Sequence, residues 1–149
     1  MPFKQKVYSQ YLQSINEKVG LLRSTLNDLK ESSSNETKST AGDKHETALA
    51  MLQIEQKNVS QQLKDALDQK ILLEQINPAV SKQVAASGAL LKTNKGYLFL
   101  SVALGKIIVE GIAVMAISPR SPLGQKLLGL KVNDTAEING IQYMIESIS

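Results

Sequence analysis

The sequence predicts an α+β protein: an N-terminal antiparallel α-helical coiled-coil hairpin, then a small antiparallel sheet domain with one short helix. Three observations predict it. A heptad-spaced apolar seam fills the first thirty residues, a second helical run follows a polar break, and beyond Asn77-Pro78 the apolar period falls to two. The expected organisation is a hairpin over 1–77 with an acidic tip at 42–46, a linker over 78–88, and a C-terminal domain over 89–149.

Tyr8, Leu12, Ile15, Val19, Leu22, Leu26 and Leu29 recur in alternating steps of four and three, the pattern of a coiled-coil seam. From Lys30 to Gly42 the chain turns polar, with serines that compete for helix backbone and a glycine suited to terminate it. A second run starts near Asp43, continues through Leu52, Val59, Leu63, Ala66, Leu67, Ile71 and Leu73, and stops at Asn77-Pro78. Each apolar seam needs a partner, and the nearest is the other run, so the two are expected to pair antiparallel. At about 1.5 Å per residue such a pair makes a rod of roughly 45 Å. Its polar outer third, around Ser32–Glu46, has little seam to bury and should be its least stable part.

In the second half, Leu90–Thr93 precedes a turn at Asn94-Lys95-Gly96. Tyr97–Leu104, Lys106–Glu110 and Ile112–Ser118 then read as meandering strands separated by Gly105 and Gly111. Ser121–Leu128 has the marks of a short helix: a Ser cap, Pro122 at its first position and Gly129 just past its end. Ala136–Ile138 and Ile141–Ile148 flank Asn139-Gly140, a strong hairpin signal.

With no Trp, two Phe and four Tyr among 149 residues, the core must be aliphatic. The absence of cysteine excludes disulfides, thiolate metal sites and cysteine nucleophiles. The opening Met1-Pro2-Phe3-Lys4-Gln5-Lys6 lacks the apolar run of a secretory signal. Residues 97–117 form the most apolar stretch, but Lys106, Glu110 and two glycines interrupt it, which favours buried strands over a membrane span. The expected setting is cytoplasmic. Residues 1–77 carry ten basic and ten acidic side chains, whereas 78–149 carry seven against four. That surplus suits docking on an acidic protein surface and is too small to argue independent DNA binding.

Gly42-Asp43-Lys44-His45-Glu46 places two carboxylates three residues apart at the main break in the helical pattern. Asp43-x-x-Glu46 is a capping-box pattern, in which Asp accepts from the third helical amide and Glu reaches back. It also suits an ionised pair held on a tip, where the helix dipole favours negative charge. The two readings are compatible. His45-Glu46 resembles half of a zinc-protease motif, but Leu49 stands where the second His belongs, so an all-protein zinc site is not expected. Ser32-Ser33-Ser34 has no base partner and reads as a polar helix end.

The stretch Ile117-Ser118-Pro119-Arg120-Ser121-Pro122-Leu123-Gly124, continuing through Leu127-Leu128-Gly129 to Asn133-Asp134, closely resembles the C-terminal signature of bacterial Gre-family transcription elongation factors. Asn133 stands where that signature has Gly. The tip, Gly42-Asp43-Lys44-His45-Glu46-Thr47-Ala48, is similar to the family's Gly-Asp-x-x-Glu motif, and the two occur in the family's order. The resemblance implies a C-terminal domain of FKBP-like fold docked on RNA polymerase through Ser118, Ser121, Pro122, Leu123 and Gly124. It also implies a finger entering the secondary channel. There Asp43 and Glu46 would help hold a second Mg²⁺ beside the polymerase's own, and the polymerase would cut the 3′ end of backtracked RNA. Two-metal hydrolysis places its ions about 4 Å apart, and Mg²⁺ bound through few protein oxygens gains occupancy from added carboxylates.

On this reading the chain is an accessory factor and not itself an enzyme. It has no cofactor of its own beyond the shared Mg²⁺, no membrane partner, and is a monomer. The alternative is a non-catalytic or inhibitory regulator of the same channel. A prolyl isomerase would need an aromatic-lined pocket, for which this half supplies Tyr97, Phe99 and Tyr143. A plain coiled-coil adaptor would use Asp43 and Glu46 only as caps.

Overall fold

The computed structural model describes residues 2–37 and 43–149, apart from the side chains at 36, 37 and 43–45. Helix α1 spans Phe3–Thr37 and α2 spans Asp43–Glu74. Strands β1 (Leu90–Thr93), β2 (Gly96–Leu100), β3 (Gly105–Val109) and β4 (Ile112–Ile117) follow, then α3 (Pro122–Leu127), β5 (Thr135–Ile138) and β6 (Ile141–Ile148). The α+β architecture is the expected one: two long helices forming a hairpin, and a six-stranded sheet with one short helix. Two compact units divide the chain, Met1–Gln13 with Ile71–Ser149, and Ser14–Lys70. Among the described residues no helix is long and apolar enough to cross a membrane.

In the larger unit the strand order is β3-β4-β2-β1-β6-β5. All pairings are antiparallel except β2 with β4, which run parallel in the register Tyr97↔Val114 to Leu100↔Ile117. A simple meander would set β3 against β2. Instead Ser101–Leu104 carries the chain past one strand position, with Val102 buried and Ser101 N–H donating to the Ile117 carbonyl. β4 then returns from its turn into the gap.

The turns follow residue chemistry. Glu110-Gly111 and Asn139-Gly140 both have two consecutive positive φ angles, 53° and 77° in each, which matches the right-handed twist of the hairpins they close. Thr93 Oγ1 donates to the Gly96 carbonyl and accepts from Lys95 N–H, closing the first turn. Asn133 takes φ 77° just before β5. Asn tolerates the left-handed region better than other residues with a side chain, so it can stand where the similar signature has Gly. Asp134 Oδ2 accepts from Lys131 N–H and fixes that turn.

Both faces of the sheet are covered. On one, α3 brings Leu127 against Leu91, Leu98, Leu100 and Ile145. Residues 78–88 carry neither helix nor strand, yet Ala85 joins this core; its N–H donates to Leu130 O, and its carbonyl accepts from Gly129 N–H. On the other face lie the first three turns of α1. Tyr11 stacks on Phe99 at 6.1 Å between ring centroids, and Phe3 meets Tyr97 at 5.2 Å.

Here the apolar seam departs from the heptad reading. Val7 and Tyr11 are fully buried, while Tyr8 and Leu12 are half-buried. The reason is the partner: these turns face a sheet, and the Tyr11 hydroxyl reaches the carbonyls of Gly105 (2.6 Å) and Val114 (3.1 Å). Gln10 Nε2 likewise donates to Ile108 O, so α1 side chains occupy carbonyls of the edge strand β3 and leave less of it open to another chain.

Tyr11→Phe should cost about 1–2 kcal/mol by removing a buried donor from two carbonyls, measurable by urea unfolding. Burial pushes the Tyr11 phenol up to about 12. A phenol harder to ionise when folded stabilises the protein below its ordinary value of 10.0 and loses that contribution as pH rises towards 12. Stability should therefore fall across that window, and Tyr11→Phe should flatten the fall.

Candidate functional site

The smaller unit, Ser14–Lys70, holds the helical hairpin. Ile15, Val19, Val59 and Ala66 are buried in its seam, with Leu22, Leu26, Leu29, Leu52 and Leu63 half-buried. Gln56 sits between these aliphatic positions, and its Nε2 donates to the Leu29 carbonyl (3.3 Å) and to Ser33 Oγ. α1 ends at Thr37 and α2 begins at Asp43, so a contact from Gln56 back to Leu29 requires the helices to run antiparallel. α1 continues through Ser32–Ser34, and Ser33 Oγ accepts from Gln56 across the hairpin, which ties this polar turn to α2. Ile71, expected in the seam, is 55% exposed, and the buried position is Leu73.

Asp43 is the first residue of α2, at the closed end of this hairpin, and Glu46 follows one turn later with its side chain exposed. Residues three apart on a helix share a face. Gly42 lies outside the described residues, as do the side chains of Asp43 and His45. Among the described residues no group of three or more His, Asp or Glu side chains could hold a metal ion.

The other candidate residues surround the start of α3. Ser121 caps it: its Oγ accepts from Gly124 N–H (3.0 Å) and donates to the Ser118 carbonyl (2.6 Å). Pro122, exposed, occupies the first turn, where no intrahelical donor is needed. Leu123 packs against the core. Gly124 is buried where a Cβ would stand 2.1 Å from the Ser118 carbonyl oxygen. Ser118 Oγ accepts from Arg120 N–H, and Gln125 Nε2 donates to Arg120 O, so the Ser118–Ser121 loop is bound at both ends. Each of the five residues thus has a local structural role, and the loop they fix presents Arg120 to solvent. Ser121→Ala should cost about 1 kcal/mol, the usual worth of an N-cap, read from thermal unfolding.

Two concave regions lie on the larger unit. A groove of about 550 Å³ is lined by Ile76, Val80, Lys82, Ser101, Ser118 and Arg120, among others. A smaller one of about 320 Å³, between α3 and the sheet, is lined by Leu98, Met115, Ile117, Leu123 and Tyr143, with Tyr97 its other aromatic. Phe99, counted with these tyrosines from sequence, is fully buried on the opposite face against Tyr11. Sequence reasoning missed the first groove, because Lys82, Ser101 and Arg120 come from three separate segments and form no motif.

No protein-family model matches the chain, and no curated protein matches it. Among solved structures, that of the transcription factor Gfh1 is similar at 13% identity over 92% of each chain, with a TM-score of 0.37, a likeness too distant to carry an argument.

Proposed function

We propose that this chain is a Gre-like transcription elongation factor that binds RNA polymerase, enters its secondary channel with the helical hairpin, and stimulates cleavage of backtracked RNA. The observation that carries this reading is the position of Asp43 and Glu46, three residues apart at the closed end of an antiparallel hairpin, with Glu46 open to solvent. The bound Mg²⁺ supplies the activation of water, and the cutting is the polymerase's own. What this chain adds is carboxylate oxygen at the start of α2. Its backbone at that point is helical, and negative side chains suit a helix N-terminus. The Ser118–Gly124 loop, rigid through its own hydrogen bonds, is the proposed docking element on the polymerase.

The test is RNA shortening in backtracked elongation complexes with Mg²⁺, comparing the wild type with Asp43→Ala plus Glu46→Ala. Shortening by the wild type alone supports the proposal, and equal shortening by both rejects the role of the tip. Polymerase binding without any shortening would assign the chain to the non-catalytic regulators.

A further inference from the structure

The larger groove has an unusual charge balance. Lys82 and Arg120 line it together with the hydroxyls of Ser87, Ser101 and Ser118, and no Asp or Glu is among its lining residues. Among the described residues neither cation has a carboxylate within ion-pair distance, unlike Lys6, which pairs with Glu110. Behind the wall, Lys4 is 6% exposed and its ammonium donates one hydrogen bond, to the Val80 carbonyl at 2.9 Å. An ammonium has three donors. Burial, and then repulsion from Lys82, hold the Lys4 pKa below its ordinary value. Ser101 is 7% exposed, and its hydroxyl partner is the Phe99 carbonyl at 3.4 Å, long for an O–H···O bond. Ser118 Oγ accepts from Arg120 N–H and keeps its own hydrogen available to donate.

We infer that this groove is a binding site for a phosphate-bearing small molecule, with Lys82 and Arg120 as charge partners and Ser101 and Ser118 as hydroxyl donors. Two cationic side chains and these two serines line the same groove with no carboxylate among them, a set that suits a multiply charged anion. A phosphate group offers three acceptor oxygens and up to two charges, and the guanidinium fork matches it bidentately. Positive charge without carboxylates rules against a cation as the ligand. The volume falls in the range of small-ligand sites. Leu72, Ile76, Val80 and Pro119 add an apolar wall on which the body of a nucleotide can rest. An anion seated here also relieves the repulsion between Lys4 and Lys82.

The groove shares Ser118 and Arg120 with the proposed docking loop but does not depend on that reading, and it is tested on the isolated full chain without polymerase. Amide NMR spectra are followed during titration with pyrophosphate and, separately, adenosine diphosphate. The expected result is saturable shifts at Ser87, Gly88, Ser101, Ser118 and Arg120, with a Kd below about 1 mM. Lys82→Gln plus Arg120→Gln should weaken binding by about tenfold or more while thermal unfolding stays unchanged. Tighter binding of the nucleotide assigns the apolar wall to a base, and equal binding assigns the site to the phosphate moiety alone. Shifts that fail to saturate, that sodium chloride reproduces at equal ionic strength, or that persist in the double variant overturn it.

Discussion

Replacing Asp43 and Glu46 together by alanine should reduce Mg²⁺-dependent RNA shortening by roughly 100-fold, given that loss of groups supporting a metal costs about 10- to 100-fold in affinity or activity. Each single variant should fall short of that, and raising Mg²⁺ should recover the singles more than the double. That recovery separates the metal role from a capping role. A lost cap would destabilise the first turn of α2 by about 1 kcal/mol, and added Mg²⁺ would not restore it. Asp43→Asn makes the distinction sharper, since asparagine caps as well as aspartate but brings no charge. If Asp43→Asn and wild type shorten RNA alike at limiting Mg²⁺, the carboxylate at 43 is a cap and nothing more.

Gly124→Ala should be the most destabilising conservative change in the C-terminal half. The added methyl would lie 2.1 Å from the Ser118 carbonyl oxygen, and 2.9 Å from both Pro119 Cα and Ser121 Oγ. Two of these are backbone atoms that cannot rotate away. Alanine's better helix propensity returns at most about 1 kcal/mol. Overpacking against a fixed loop costs about 3 kcal/mol, so the clash wins. Unfolding should shift down by roughly 6 °C for a chain of this size. Since the methyl pushes on the Ser118–Ser121 loop, the amide signals of Ser118 and Arg120 should move as well. At Gly20, by contrast, an added methyl would meet nothing within 4 Å, and Gly20→Ala should be neutral or mildly stabilising.

Much of the fold was legible because local chemistry and tertiary structure agree. The Ser121 cap, Pro122, the Asn139-Gly140 turn and the stop before Asn77-Pro78 all lie where residue type alone puts them. What was not legible depends on partners distant in sequence. Spacing of four and three cannot say whether a helix packs on another helix or on a sheet, so the heptad reading takes Tyr8 and Leu12 where the fold buries Val7 and Tyr11. The parallel contact of β2 with β4 went unread because consecutive runs joined by glycines suggest a meander, although both strands are continuous apolar runs, with Leu98, Phe99 and Leu100 all buried. Asn94 is a similar case. Read as a turn residue, it also donates its N–H to Met144 O and accepts from Met144 N–H at Oδ1, prolonging the β1–β6 pairing past its bulge. At the candidate site, the acidic pair and the Ser118–Gly124 run were visible as motifs. The cationic groove was not, because only folding brings its residues together.

The place of β6 bears on how this protein is made. Its first half pairs with β5 and its second half with β1, and it supplies Ile145 to the core between them. On a ribosome the β1–β2 hairpin can close as soon as Leu100 has emerged, but the free edge of β1 and the bare faces of Leu91 and Leu98 must wait for residues 145–148. During that interval the nascent chain offers an open strand edge beside an uncovered apolar surface, the combination most prone to pairing with a neighbour. Slowing translation between those two points should raise its demand for chaperones more than slowing it anywhere in the helices.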